Sequence, residues 1–333
     1  MDRGRVLGVL LTAMLVAAGC ETGQPPPGRG LADTAAALDA ELGRVREATV
    51  TLAVASAERF ADPSGYATPR FPDRRYRTFE GALTYYQGGP EESAVLLSQP
   101  TPAGEAALGQ MRLLEHLDGA LRQVVATSPL VAMAWVATGD SAVVFFPPFD
   151  LVAYVPTGVD VPRDILPYQV AAPASNPGRG PVWVEPYVDM CGKGYMVTVS
   201  APVYRGPEMV AVAAADVAVA GVVGRFLPGN AEELRLLLTA SGFLAGATEP
   251  AGRALGIEAL GRFSYLDQVQ RDAPAPARFN LVQHTTAEVR ELATRVLAGE
   301  SSFPLPVGER RYRVATAAVP VAGWHLVELR EVP

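Results

Sequence analysis

Asp216 is the residue whose surroundings most demand a chemical explanation. It stands inside MVAVAAADVAV, residues 209–219, an apolar run of the kind that forms a central strand covered on both faces. A carboxylate placed there must be solvated, paired or held by a ligand, because burying it alone is costly. Other reactive groups are scattered. His116, His284 and His325 lie far apart, and no Cys/His cluster has metal-ligand spacing. No Walker loop, G-x-S-x-G elbow or G-x-G-x-x-G turn follows a suitable strand, and Gly192-Lys193-Gly194 reads as a turn. The sequence therefore predicts no catalytic residue, no metal and no cofactor, and an enzyme is the least favoured class.

The two cysteines differ in context. Cys191 lies in a glycine-containing loop beside Tyr195, an incidental loop position on its simplest reading. Cys20 closes an N-terminal segment with Arg3 and Arg5 at its start and an apolar stretch, Val6–Ala18, too short to cross a bilayer. Its ending, Ala17-Ala18-Gly19-Cys20, resembles the lipobox of bacterial lipoproteins, in which the signal is cut before the cysteine and the thiol is lipidated. Residues 1–19 are thus expected to be a lipoprotein signal peptide and Cys20 the lipidation site; an ordinary secretory signal or an uncleaved anchor are the alternatives. With Cys20 lipidated one thiol remains, so no intramolecular disulfide can form. The chain has a formal net charge of −7, and losing Asp2, Arg3 and Arg5 with the signal leaves it more acidic. That balance argues against nucleic acid as a partner and offers no polybasic surface to anionic lipid.

The elements that would position Asp216 follow from patterning. Residues 20–30 are a Pro/Gly tether. Residues 31–65 should form a long helix, with Leu31, Leu38, Leu42, Val45 and Leu52 at helical spacing and Asp62-Pro63 and Gly65 ending it. Residues 66–104 are turn-rich, with one short strand expected near Ser93–Ser98; residues 105–126 read as one helix. Leu130–Ala137 and Ala142–Phe146 form a hairpin around Thr138-Gly139-Asp140, with Trp135 read as a core residue. Tyr195–Val203 alternates as a strand with one buried face and returns through residues 204–208 into Met209–Val219. Further on come a small hairpin at 234–247, a helix over 285–297, and a closing hairpin of Arg311–Val319 and Trp324–Arg330.

Pro-Tyr-x-Asp at 186–189, Val-Thr-Val-Ser-x-Pro-Val-Tyr at 197–204, a turn, and a strand ending in Asp216 together resemble the extracellular sensor domains of the double Cache family. Ala-x-x-Pro-Val-x-Gly-Trp near the C-terminus resembles the closing hairpin of that family's membrane-proximal subdomain. The resemblance implies an α/β (α+β) fold: a long N-terminal helix packed beside two antiparallel-sheet, PAS-like Cache subdomains, the membrane-distal one at 66–223 and the membrane-proximal one at 224–333. In amino-acid-binding members an arginine clamps the ligand's carboxylate, while tyrosines and the strand-end aspartate hold its ammonium. Carried over, Tyr168 and Tyr187 fall on the tyrosines and Asp216 on the aspartate; the tryptophan position falls on Pro167 and the arginine position on Ile165, with Arg163 two residues earlier. The ammonium half of such a site is present, which implies a small amine-bearing or amino-acid-like ligand. Asp189 is read as turn chemistry and left outside the site.

In receptors of this family a second membrane helix and an output module follow. Here the chain stops at Pro333, so signalling is expected to need a partner, such as a sensor kinase, chemoreceptor or transporter. The sequence-level expectation is a binding lipoprotein of the cell envelope, facing the periplasm from the inner membrane or carried on the outer membrane. The alternative is a structural or interaction lipoprotein with a degenerate pocket.

Overall fold

In a computed structural model the chain is described at residues 30–66, 68, 70, 76–191, 194–227, 234–257 and 271–333. The signal segment, Cys20 and residues 20–29 of the tether lie outside these.

Helix α1 (Leu31–Ala61) is the spine. Leu38, Leu42, Val45, Leu52 and Phe60 form its buried stripe, and the polar members Thr49 and Ser56 bond back to the carbonyls of Val45 and Leu52 at 2.9 and 2.7 Å. At 1.5 Å per residue its 31 residues extend about 46 Å, long enough to pass along two sheets.

The first sheet comprises β1 (Arg77–Phe79), β2 (Leu83–Tyr86), β3 (Ala94–Ser98), β4 (Val131–Thr138), β5 (Ala142–Phe146), β6 (Val182–Val188), β7 (Tyr195–Arg205) and β8 (Glu208–Ala218). Helices α2 (Glu105–Glu115) and α3 (Asp118–Thr127) precede β4, and three short helices, α4 (Leu151–Tyr154), α5 (Val161–Asp164) and α6 (Leu166–Ala171), precede β6. After α7 (Val219–Phe226) come β9 (Leu234–Leu238), β10 (Leu244–Ala247), α8 (Glu249–Leu255), the two-residue β11 (Ala273–Pro274), α9 (Ala287–Leu297), β12 (Ser302–Val307), β13 (Arg310–Val319) and β14 (Trp324–Val332). The two sheets run β1-β2-β3-β5-β4-β8-β7-β6-β11 and β10-β9-β14-β13-β12, and every pairing is antiparallel.

The architecture is the one implied by the double Cache resemblance, a long helix beside two antiparallel sheets. Alternation along the central strands explains it. Val197, Val199, Ala201 and Val203 of β7 and Ala211, Ala213, Ala215 and Val217 of β8 face α1 in one apolar cluster, which extends to Leu237, Val319, Trp324 and Leu326 of the second sheet. Val212, Ala214 and Asp216 face the other way, under α4–α6.

Several expectations need revision. Thr198 and Ser200 are fully buried, because the helices after β5 roof the face expected to meet solvent. The helix over 105–126 is two, broken at His116 and Leu117. The described residues of the turn-rich stretch form three strands, and β7–β8 turns on Gly206 and Pro207 alone. The division at 223/224 is crossed by the chain: β11, from the second half, pairs with β6 of the first sheet through Ala273–Val188 and Pro274–Tyr187.

Candidate functional site

Asp216 lies opposite Thr198 on β7 and Met133 on β4 and is 2% exposed. Trp135, one pleat further along β4, therefore reaches it diagonally. Its indole Nε1–H donates to both carboxylate oxygens at 3.0 Å. The Thr198 hydroxyl donates to Oδ1 at 2.7 Å, and the Tyr187 hydroxyl lies 2.9 Å from Thr198 Oγ1. Since Thr198 has one proton and spends it on Asp216, Tyr187 is the donor in that pair. A relay Tyr187→Thr198→Asp216 follows. Burial, and then the nearby Asp216, raise the Tyr187 phenol well above its ordinary pKa, which keeps it a donor. A register shift between Val184 and Tyr187, at Glu185-Pro186, sets Tyr187 opposite Met196 and aims its ring inward.

These groups open on a cavity of about 70 Å³. Leu96, Met133, Trp135, Val143 and Phe145 of the sheet form its floor, and Val155, Val159, Val161 and Ile165, from the short helices and the connections between them, form its roof. Its acidic lining is Asp189, Asp216 and Asp272. Asp272 is carried in by the segment that forms β11; its oxygens accept the backbone N–H groups of Met190 (3.1 Å) and Leu166 (2.9 Å). Burial, then the neighbouring Asp189, push its carboxyl well above the ordinary range, against the pull of those two N–H donors. No basic side chain lines the cavity among the described residues. With a water occupying about 30 Å³, the space suits a small headgroup. Outside it, a more open cleft bounded by Arg77, Tyr85, Gln87 and Asp150 shares the Phe149 wall.

Of the residues singled out in the sequence, Tyr187 and Asp216 meet in this cavity and the other two do not line it. Arg163 is turned to the surface, where its guanidinium pairs with Asp164 at 2.7 Å and Asp160 at 3.7 Å and its side chain is 63% exposed. It does not stand in for the arginine position occupied by Ile165, whose apolar side chain does line the cavity. Tyr168 packs in the roof with its hydroxyl against the hairpin turn, where a Cβ at Gly139 would lie 3.1 Å from it. Pro167, at the tryptophan position, is buried in α6. An indole is nevertheless present, supplied by Trp135. Its core placement was correct as far as it went: Trp135 is 5% exposed and also lines the cavity. Asp189 belongs to the lining rather than to turn chemistry alone. Asp272 carries no motif, and only the return of the chain to β6 brings it here. Among the described residues no cluster of His, Cys, Asp and Glu could hold a metal ion.

No family model matches the chain, and no curated protein is similar to it. Among solved structures it is similar to the ligand-binding domain of the Pseudomonas fluorescens chemoreceptor CtaA in complex with L-isoleucine, at 13% identity over 90% of this chain and 87% of that one, with a TM-score of 0.48. It is likewise similar to the ligand-binding domain of the Campylobacter jejuni chemoreceptor Tlp3 with L-norvaline, at 9% identity over 90% and 89% of the two chains and a TM-score of 0.48. A third is the ligand-binding domain of the Pseudomonas aeruginosa PAO1 amino acid chemoreceptor PctB with L-Arg, at 14% identity over 63% and 71% and a TM-score of 0.40. The chemistry of the cavity stands on its own residues.

Proposed function

We propose that the chain is a binding module, not an enzyme, that takes the amine end of a small molecule into the cavity under α4–α6. The observation that carries this reading is Asp216: a buried carboxylate that, among the described residues, accepts from the neutral donors Trp135 and Thr198 and lines the cavity. A carboxylate fixed this way needs no rearrangement to receive an ammonium group, and the low dielectric around it strengthens the pair. Asp189 and Asp272 add to the same polarity. The aromatic floor of Trp135 and Phe145 suits the carbon next to a cationic nitrogen. No cationic side chain in the described lining answers a carboxylate, so the reading is an amine rather than an α-amino acid clamped at both ends.

In the same reading the domain is exported, cut before Cys20 and held to the envelope by lipid, and it passes occupancy to a membrane-bound kinase, chemoreceptor or transporter. No helix among the described residues is long and apolar enough to cross a membrane.

A thermal-shift panel of primary amines, polyamines, amino acids and carboxylates on the chain beginning at Glu21 tests it. A ligand at a hundred times its Kd adds about 2.7 kcal/mol, a clear rise in Tm. Amines should raise Tm and simple carboxylates should not; the reverse order would overturn the proposal. Globomycin treatment of the expressing cells should leave the precursor uncut if Cys20 is the lipidation site.

A further inference from the structure

Asp272 is the unusual member of the cavity. Asp189 and Asp216 belong to the strands and turn of the first sheet, whereas Asp272 arrives from the far side of β9, β10 and α8. Its segment is fastened at several points. The Asp272 N–H donates to the Asp164 carbonyl at 2.9 Å, β11 pairs with β6, and the Ala275 N–H reaches the Pro186 carbonyl at 3.0 Å. Six residues beyond Ala275, the Leu281 N–H donates to the Gly242 carbonyl in the turn between β9 and β10, at 2.8 Å. One short strap thus joins the cavity wall to the second sheet, with a carboxylate at its tip.

We infer that Asp272 is a ligand-binding residue, and that it and Asp216 together select a cation with several N–H donors, a primary ammonium or an amidine, whose arrival tightens the strap on the first sheet. This rests on the amine reading of the cavity above and deepens it. The chemistry follows from the two walls. Asp216 is fixed to β8 and Asp272 to the strap, and both line one space of about 70 Å³. A primary ammonium has three N–H donors and can bond to both carboxylates at once. A quaternary ammonium has none and is bulkier. Each Asp272 oxygen still has acceptor capacity left after its backbone donor.

Charge supports the geometry. The groups around Asp272 are Asp189 and Tyr187 on and beyond β6, Asp216 on β8, Cys191 in the adjoining turn, and Arg271 and Asp164 near the strap. Burial and Asp189 favour the protonated form of Asp272, whereas a cation bound between it and Asp216 favours the ionised form. Binding therefore releases a proton, and affinity rises with pH until Asp272 ionises unaided.

Calorimetry of the chain from Glu21 with isobutylamine and its N,N,N-trimethyl analogue, in two buffers of different ionisation enthalpy at each of several pH values, tests this. Wild type should bind the primary amine with net proton release and bind the trimethyl analogue at least tenfold more weakly. Asp272→Asn should lose tenfold or more in affinity and lose the proton release, while Asp216→Asn loses affinity and keeps the pH-linked release in whatever binding remains. Hydrogen exchange on wild type, which needs no variant to fold, should show the amine protecting the Leu166, Met190 and Ala275 amides. Wild-type affinity and proton release in Asp272→Asn, with Asp216→Asn impaired, would remove Asp272 and leave the amine reading standing. Failure of wild type to bind either probe, or equal binding of both, would overturn the inference; failure to bind any amine would take the underlying reading with it.

Discussion

Two buried carboxylates on central strands, Glu328 in the second sheet and Asp216 in the first, are accommodated in opposite ways. Glu328 on β14 is 4% exposed and lies directly across from Arg235 on β9, whose Nε donates to it at 2.9 Å; Arg330 donates from two residues along at 2.6 Å. Its charge is answered within the sheet. Asp216 is as deeply buried, but among the described residues the donors that orient it, Trp135 and Thr198, are neutral, and it faces a cavity. The other face of the second sheet is filled instead, by Leu236, Leu238, Phe279, Leu292, Val296 and Phe303. A strand acid with arginines beside it completes a fold. One with oriented neutral donors and a space before it is ready for something that arrives later.

The sharpest way to break the comparison is to treat Glu328 as if it were a ligand site. Glu328→Gln removes the carboxylate that the buried Arg235 meets across the strands, and breaking such a pair costs about 3–5 kcal/mol. Urea unfolding should show that loss. Replacing both partners, as Arg235→Met with Glu328→Leu, should recover most of it, because a packed apolar pair can match a buried ion pair. No amine in the panel should respond differently in either variant.

Asp216→Asn should behave the other way round. The amide oxygen can still accept from Trp135 or Thr198, so stability should fall by no more than about 1–2 kcal/mol. Affinity for a primary amine should fall by about tenfold to a hundredfold, the worth of a hydrogen bond to a charged group. A collapse in stability with amine binding intact would make Asp216 a second Glu328.

The contrast also marks how far the sequence could be read. Asp216 stood out because a charge interrupts an apolar run, and Tyr187 followed from the motif around it. The long helix and the hairpins were legible from period and turn residues. The strands β1 and β2 were not, since three or four residues among glycines carry no measurable alternation. Pro304 and Pro306 hid β12, yet β12 is an edge strand that turns Phe303 and Leu305 inward and both prolines outward. Trp135 could be placed in the core but not against Asp216, because that needs the β4–β8 register, a pairing between distant segments. Asp272 was beyond reach for a related reason: a two-residue strand has no period, and the return to β6 is a tertiary event. Arg163 has nearer partners written beside it, the N-cap Asp160 and the adjacent Asp164, and they hold the guanidinium at the surface.

Asp272 sharpens the comparison through pH. In the empty protein its carboxyl titrates well above the ordinary range, so the native state binds more protons than the unfolded chain between those two values. Its contribution to stability is therefore fully present at low pH and is lost as pH rises through that window. Asp272→Asn should remove this slope from a plot of Tm against pH, while Glu328→Gln should leave it in place. A saturating primary amine should flatten it too, by favouring the ionised form.

The smallest effect belongs to Arg163. Its guanidinium is held at the surface by Asp164, and the pair draws the Asp164 carboxyl below and the guanidinium above their ordinary values. Arg163→Ala should leave amine affinity unchanged within twofold by calorimetry, since the side chain does not line the cavity. The variant also tests the polarity of the site. If Arg163 swung inward to clamp a ligand carboxylate, its loss would weaken amino acids selectively and spare simple amines. Unchanged binding of each ligand type by Arg163→Ala is the outcome required by a site whose described lining holds acids and no arginine.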